Sequence, residues 1–128
     1  MANYYATTVS EGGKIKEGKK EELQAIIDKY QFIAYDDGDI IVEIEGDTLC
    51  IYGYGAMSVY KKEDEEFDDD CTDYFLGEVA QCIEDYMVIS EVGNEKCRYV
   101  NAYAWVLKDG KVESVSLEGA VQQLLGNK

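Results

Sequence analysis

Histidine and proline are both absent from these 128 residues, arginine occurs only at Arg98, and no run of 18 apolar residues exists. Without histidine the chain lacks the side chain on which most nucleophilic triads and proton shuttles depend, so the common hydrolases are excluded. Its four cysteines, Cys50, Cys71, Cys82 and Cys97, are widely spaced and form no C-x2-C pair. Tetrahedral zinc sites favour close pairs of soft or imidazole ligands, so no structural zinc is expected and the thiols read as free. The lack of a long apolar run excludes a membrane-spanning helix. The start, Met1-Ala2-Asn3-Tyr4-Tyr5, has no basic-then-apolar order of a signal peptide, and the expected compartment is the cytoplasm.

Further absences narrow the chemistry. Gly53-Tyr54-Gly55 stops short of G-x-G-x-x-G, and no G-x-x-x-x-G-K-[ST] occurs, so no glycine-rich phosphate cradle is expected. Asp36-Asp37-Gly38-Asp39 and Asp68-Asp69-Asp70 both depart from the EF-hand pattern, the second with Asp73 where glycine belongs. They suit adventitious cation binding at most. Carboxylate pairs are plentiful enough for a glycosidase or a Mg²⁺-dependent nuclease, but a chain of net charge -15 repels a polyanionic substrate. The expectation is a protein that is not an enzyme, with no cofactor and no resident metal.

What is present is a core-forming composition: 46% hydrophobic residues, with 11 Tyr, 3 Phe and 1 Trp. A chain this long buries roughly two-thirds of its unfolded surface, which suits one domain over residues 1–128. Residues 4–9 mix aromatic and β-branched side chains and read as a strand ended by Glu11-Gly12-Gly13. Leu23, Ile26, Ile27 and Tyr30 recur at helical spacing and predict a helix over 21–31. Residues 32–35 then read as a strand entering a tight hairpin turn at Asp37-Gly38. Ile40, Val42 and Ile44 alternate with Ile41, Glu43 and Glu45, a half-buried strand. Residues 49–60 continue as strand interrupted by Gly53 and Gly55, glycines that mark a bulge, a bend or a close backbone approach.

An acidic loop over 63–70 precedes a second helix, 72–84, capped by Asp70 or Thr72. Strands follow over 86–92, 98–107 and 112–117, with turns at Gly93-Asn94-Glu95-Lys96 and Asp109-Gly110, and a short helix closes the chain over 119–125. The predicted class is α+β, mainly antiparallel sheet with two main helices, in the order β-α-β-β-β-α-β-β-β-α. Cys97 reads as a buried core residue, although Arg98 beside it is a cation able to activate a thiol. Arg98 itself reads as a cross-strand partner for Glu91 or Glu95. Among the tyrosines at 52, 54, 60, 99 and 103, Tyr54 and Tyr60 are expected near the surface.

Charge is distributed unevenly. Between Glu63 and Glu95 there are 13 acids and no Lys or Arg, while the segments on either side are close to balanced. One reading is a solvated acidic loop. The functional reading is a surface that Glu63, Asp64, Glu65, Glu66, Asp68, Asp69, Asp70 and Asp73 form with Glu78, Glu84 and Asp85 to face a cationic groove. Duplex DNA carries a phosphate every ~3.4 Å of axis on each strand, so a dense carboxylate surface competes for the same Lys/Arg sites. Phe67 and nearby tyrosines add stacking, as bases do.

Two segments carry a resemblance. Asn3-Tyr4-Tyr5-Ala6-Thr7-Thr8 and the E-x-G-x-E-x-x-R-Y-x-x-x-Y-A pattern from Glu91 to Ala104 resemble a group of small acidic proteins carried by phages, plasmids and other bacterial mobile elements. After Thr8 the aromatic-rich continuation of that group gives way to Glu11-Gly12-Gly13-Lys14. The resemblance implies a setting, since such proteins are often inhibitors of host defence, and several anti-restriction and anti-CRISPR proteins are acidic DNA mimics. The expected partner is a basic host protein, a nucleic-acid-binding defence complex in the host cytoplasm, with no direct contact to nucleic acid or membrane. The alternative is a non-mimetic interaction or immunity-type module that binds through a tyrosine-rich sheet face.

Overall fold

The computed structural model of the chain describes residues 4–34, 38–95 and 99–126. Among them, eight strands and three helices give the α+β, mainly antiparallel architecture expected. They are β1 (Tyr4–Gly12), α1 (Lys20–Ile27), β2 (Tyr30–Ala34), β3 (Asp39–Glu45), β4 (Thr48–Tyr54), β5 (Met57–Lys61), α2 (Thr72–Ala80), β6 (Tyr86–Glu95), β7 (Tyr99–Lys108), β8 (Lys111–Ser116) and α3 (Leu117–Leu124). Six strands make an antiparallel sheet in the order β3-β4-β1-β6-β7-β8, and β2 and β5 pair separately. No helix of the described residues is long and apolar enough to cross a membrane.

The core lies between one face of the large sheet and a layer made of α1, α2 and the β2–β5 pair. Alternation supplies the sheet side through Leu49, Ile51, Met87, Ile89, Trp105 and Leu107; helical spacing supplies the other through Leu23, Ile26, Ile27, Phe75, Leu76 and Val79. Ile40, Val42 and Ile44 pack against this cluster, whereas Ile41 on the opposite face is exposed. Glu21 and Glu22 in the first turn of α1 complement the positive end of the helix dipole.

Several boundaries fall differently, each for a tertiary reason. Residues 32–34 do not form a hairpin with the strand after them: β2 pairs with β5, and β3 with β4. Tyr35, Asp36 and Asp37 lie outside the described residues. Helix α1 ends at Ile27 because Tyr30 and Gln31 enter the ladder opposite Lys61 and Tyr60. The stretch 49–60 is two strands, divided where its glycines stand. A Cβ at Gly53 would collide with the Asp39 carbonyl, and Gly55 turns the chain out of the large sheet with φ 120°. Thr8, 1% exposed, donates its hydroxyl to the Gly55 carbonyl at 2.8 Å and fixes this bend.

Helix α2 stops at Ala80, earlier than its apolar spacing predicts, because Ile83 bridges to Ile15 and Asp85 adopts a left-handed φ of 62°. The expected turn at 93–96 does not begin at Gly93, and Lys96 lies outside the described residues. Gly93, Asn94 and Glu95 are strand residues opposite Asn101, Val100 and Tyr99. The expectations for Cys97 and Arg98 fall outside the described residues. Asp109-Gly110 does form the hairpin turn, with φ 54° and 73° as a type I′ turn requires.

Candidate functional site

The acidic segment joins β5 to α2, and its shape is set by one of its own carboxylates. Asp64 accepts the backbone N–H of Asp69 at 3.0 Å and of Asp68 at 3.3 Å. The Asp69 amide foremost, with those of Asp68, Glu66 and Phe67, holds the Asp64 carboxyl below the usual carboxylate range. Phe67 takes a left-handed φ of 55° and lays its ring 5.2 Å from Tyr60. The Gln31 side chain donates to the backbone carbonyls of Lys61 and Asp64, tying the near end of the loop to β2.

At the far end Asp70 accepts both the backbone N–H of Thr72, at 2.8 Å, and its hydroxyl, at 2.6 Å. The Thr72 hydroxyl oxygen in turn accepts the Val59 N–H at 3.2 Å. The loop is therefore anchored to β2, β5 and α2. Glu63, Glu65, Glu66, Asp68 and Asp69 are exposed, and among the described residues their side chains make no hydrogen bond or ion pair.

Beside the loop a cleft of about 450 Å³ opens between the start of α2 and strands β6 and β7. Asp70, Asp73 and Glu91 line it together with Asn101, Tyr103 and Trp105. The two aromatic rings meet edge to face, with centroids 4.9 Å apart. Burial pushes the Glu91 carboxyl above its ordinary pKa, partly offset by the N–H it accepts from Met57 at 3.2 Å. Among the described residues no three acids or cysteines stand close enough to hold one metal ion.

Comparison of the chain with protein-family models, with curated proteins and with solved structures finds no match.

Of the acids read from the sequence as one surface, Glu63, Asp64, Glu65, Glu66, Asp68, Asp69 and Asp70 lie on the β5–α2 loop and Asp73 in the first turn of α2. Asp64 and Asp70 act within that group as supports for the loop and for the first turn of α2. Glu78 does not join it as a free carboxylate. Its oxygens accept the Tyr30 hydroxyl at 2.6 Å and the Lys29 ammonium at 2.9 Å. Glu84 pairs with Lys14 at 3.1 Å beyond the other end of α2, and Asp85 follows it. Nine helical residues rising ~1.5 Å each separate this end from the loop. Glu91, Asn101, Tyr103 and Trp105 were not expected at the site. The sequence signals are that Tyr103 is one of the strand tyrosines and that Glu91 opens, and Tyr103 nearly closes, the E-x-G-x-E-x-x-R-Y-x-x-x-Y-A pattern.

Two predictions follow from these contacts. Asp64→Ala removes one charge but frees the Asp68 and Asp69 amides. Their hydrogen exchange is expected to rise about tenfold, the scale of one lost hydrogen bond, with the thermal midpoint nearly unchanged. Unchanged protection of both amides contradicts the anchoring role.

Glu78 gives a pH dependence. Burial opposes its ionised form, yet the hydrogen bonds from Tyr30 and Lys29 outweigh this and lower its pKa. A lowered carboxyl pKa contributes stability above the unfolded value of about 4.3, and the contribution disappears as pH falls through the folded value. Thermal midpoints measured from pH 7 down to about 3 should fall less steeply for Glu78→Gln than for the wild type. Parallel curves would remove Glu78 from the account.

Proposed function

We propose that this protein is an acidic DNA mimic, carried by a phage or another mobile element, that inhibits a host defence nuclease complex of the anti-CRISPR or anti-restriction kind. It acts by occupying the basic groove that holds nucleic acid, in the cytoplasm of the host cell, and it performs no chemistry of its own. The observation that carries this reading is the anchored loop. Asp64 uses its own charge to fold the chain, and among the described residues five neighbouring exposed carboxylates make no hydrogen bond or ion pair.

An array of like charges tied down by hydrogen bonds resembles a phosphate backbone more closely than a free acidic tail does, because part of the cost of ordering it is already met by the fold. The absence of any Lys or Arg between Glu63 and Glu95 leaves that field uncompensated within the segment, and Lys61 and Lys62 mark its edge. The adjoining cleft offers Asp70, Asp73 and Glu91 beside Trp105 as a seat for one arginine of the groove. The mobile-element setting is taken from the resemblance of the Asn3–Thr8 and Glu91–Ala104 segments to such proteins.

The test is competition. The protein is immobilised, a lysate of bacteria carrying defence nucleases is passed over it, and the captured complex is challenged with short duplex DNA. Release by duplex DNA is the expected result. Capture that duplex DNA leaves intact contradicts mimicry, even where the complex itself is inhibited.

A further inference from the structure

The face of the six-stranded sheet turned away from the core carries a second surface, separate from the acidic loop. Cross-strand register aligns Ile41, Tyr52, Val9, Ser90, Ala104 and Val115 in one row that crosses all six strands. A parallel row contains Tyr54, Thr7, Val92 and Ala102. Val9, Val92 and Val115 are 54%, 50% and 53% exposed, so the band is open surface. Contiguous apolar surface of this kind marks interaction sites in water-exposed proteins.

Helix α3 stands over the β7–β8 end of the band without closing it. None of its residues is buried, and its apolar stripe of Leu117, Val121 and Leu124 is exposed. Between α3 and the sheet runs a groove of about 310 Å³. Its floor is made of the small residues Ser90, Ala102 and Ala104, and its walls are Val92, Val115 and Leu117.

We infer that this face docks a basic amphipathic helix of a partner protein. Outer strands of a six-stranded sheet lie about 24 Å apart, the length of a helix of about 16 residues. The small floor lets a helix approach closely while its larger apolar side chains fill the groove. Charge then chooses the occupant. The row next to the apolar band holds Glu43, Glu11 and Glu113, and Asp39 ends the parallel row beside Tyr54. The Tyr52 hydroxyl donates to Glu43 at 3.4 Å. Lys108 and Lys111 stand one row further out, at the β7–β8 hairpin.

An apolar stripe edged by Lys or Arg satisfies both the band and its glutamates. A second copy of this chain brings the same glutamate row and another net charge of -15, and both oppose its approach.

The test uses two synthetic helical peptides with the same leucine stripe, one flanked by Lys/Arg and one by Glu, titrated against the full chain. The basic peptide is expected to bind at least tenfold more tightly. Val92→Glu with Val115→Glu should abolish its binding. That loss cannot be Coulombic, because the variant is more acidic than the wild type. If this pair fails to fold, Val92→Thr with Val115→Thr keeps the β-branched shape and should still weaken binding severalfold.

Replacement of Glu65, Glu66, Asp68 and Asp69 by their amides should leave the peptide affinity within about twofold, since exposed distant charges are largely screened. A loss as large as that from the valine changes would assign the peptide to the acidic loop and overturn the inference. Equal affinity for both peptides, or a dimer in sedimentation that buries this face, would overturn it as well.

Discussion

Changing Glu65, Glu66, Asp68 and Asp69 together to Gln and Asn is expected to weaken binding to the basic partner on the order of 100-fold while leaving the fold intact. The two halves of this expectation have different origins. Among the described residues none of the four side chains makes a hydrogen bond or ion pair, so their removal costs no contact seen there. It also relieves repulsion in a segment without Lys or Arg, and the thermal midpoint should hold or rise. The binding loss comes from four contacts to Lys or Arg, each worth between a few tenths and about 1 kcal/mol at an exposed site. Asp64 and Asp70 are kept in this variant because they position the loop; a variant that included them would confound charge with shape. Circular dichroism and calorimetry of the variant establish the first half. Isothermal titration against the captured complex establishes the second, and an affinity within threefold of wild type contradicts the role of the loop.

The largest effect on stability is expected at Phe75. Its side chain is completely buried and meets Tyr30 edge-on at 5.2 Å and Phe32 at 5.0 Å, joining α2 to the β2–β5 layer. Truncation of a buried phenylalanine costs about 3–5 kcal/mol, from lost transfer energy and the cavity left behind. Each lost edge-to-face pair adds to this within the same range. Small domains have only about 5–15 kcal/mol in total, so Phe75→Ala should lower the urea midpoint by a large fraction. A loss below about 1 kcal/mol would mean that α2 is not held by this cluster. Because Asp70, Thr72 and Asp73 stand at the start of α2, the variant should also bind its partner more weakly at temperatures where it remains folded.

Much of the architecture is legible in the sequence because it is local. The alternation of Ile40, Val42 and Ile44, the Asp109-Gly110 turn and the spacing of Leu23, Ile26 and Ile27 each depend on near neighbours. The β2–β5 pair is not local. Tyr30 faces Lys61 only after the chain has bent at Gly53 and Gly55, so from the sequence the apolar run before Asp37 reads as half of a hairpin. The same division holds at the site. Acidic composition identifies the loop, but the role of Asp64 requires the chain reversal at Phe67, and the engagement of Glu78 requires Tyr30, 48 residues away. The cleft brings Asp70 and Asp73 to Glu91 and Trp105 across the α2–sheet junction, a juxtaposition that no spacing rule contains.

Carboxylates that replace phosphates in a basic groove bind by electrostatics, and the salt dependence of affinity measures this directly. For the wild-type chain and its purified partner, log affinity plotted against log salt between about 0.05 and 0.5 M should fall steeply, as it does for polyanions that release counterions. The Glu65, Glu66, Asp68 and Asp69 amide variant should give a clearly shallower line. The same slope for both proteins would contradict the account, because it would show that the carboxylates of the loop do not meet the cations of the partner.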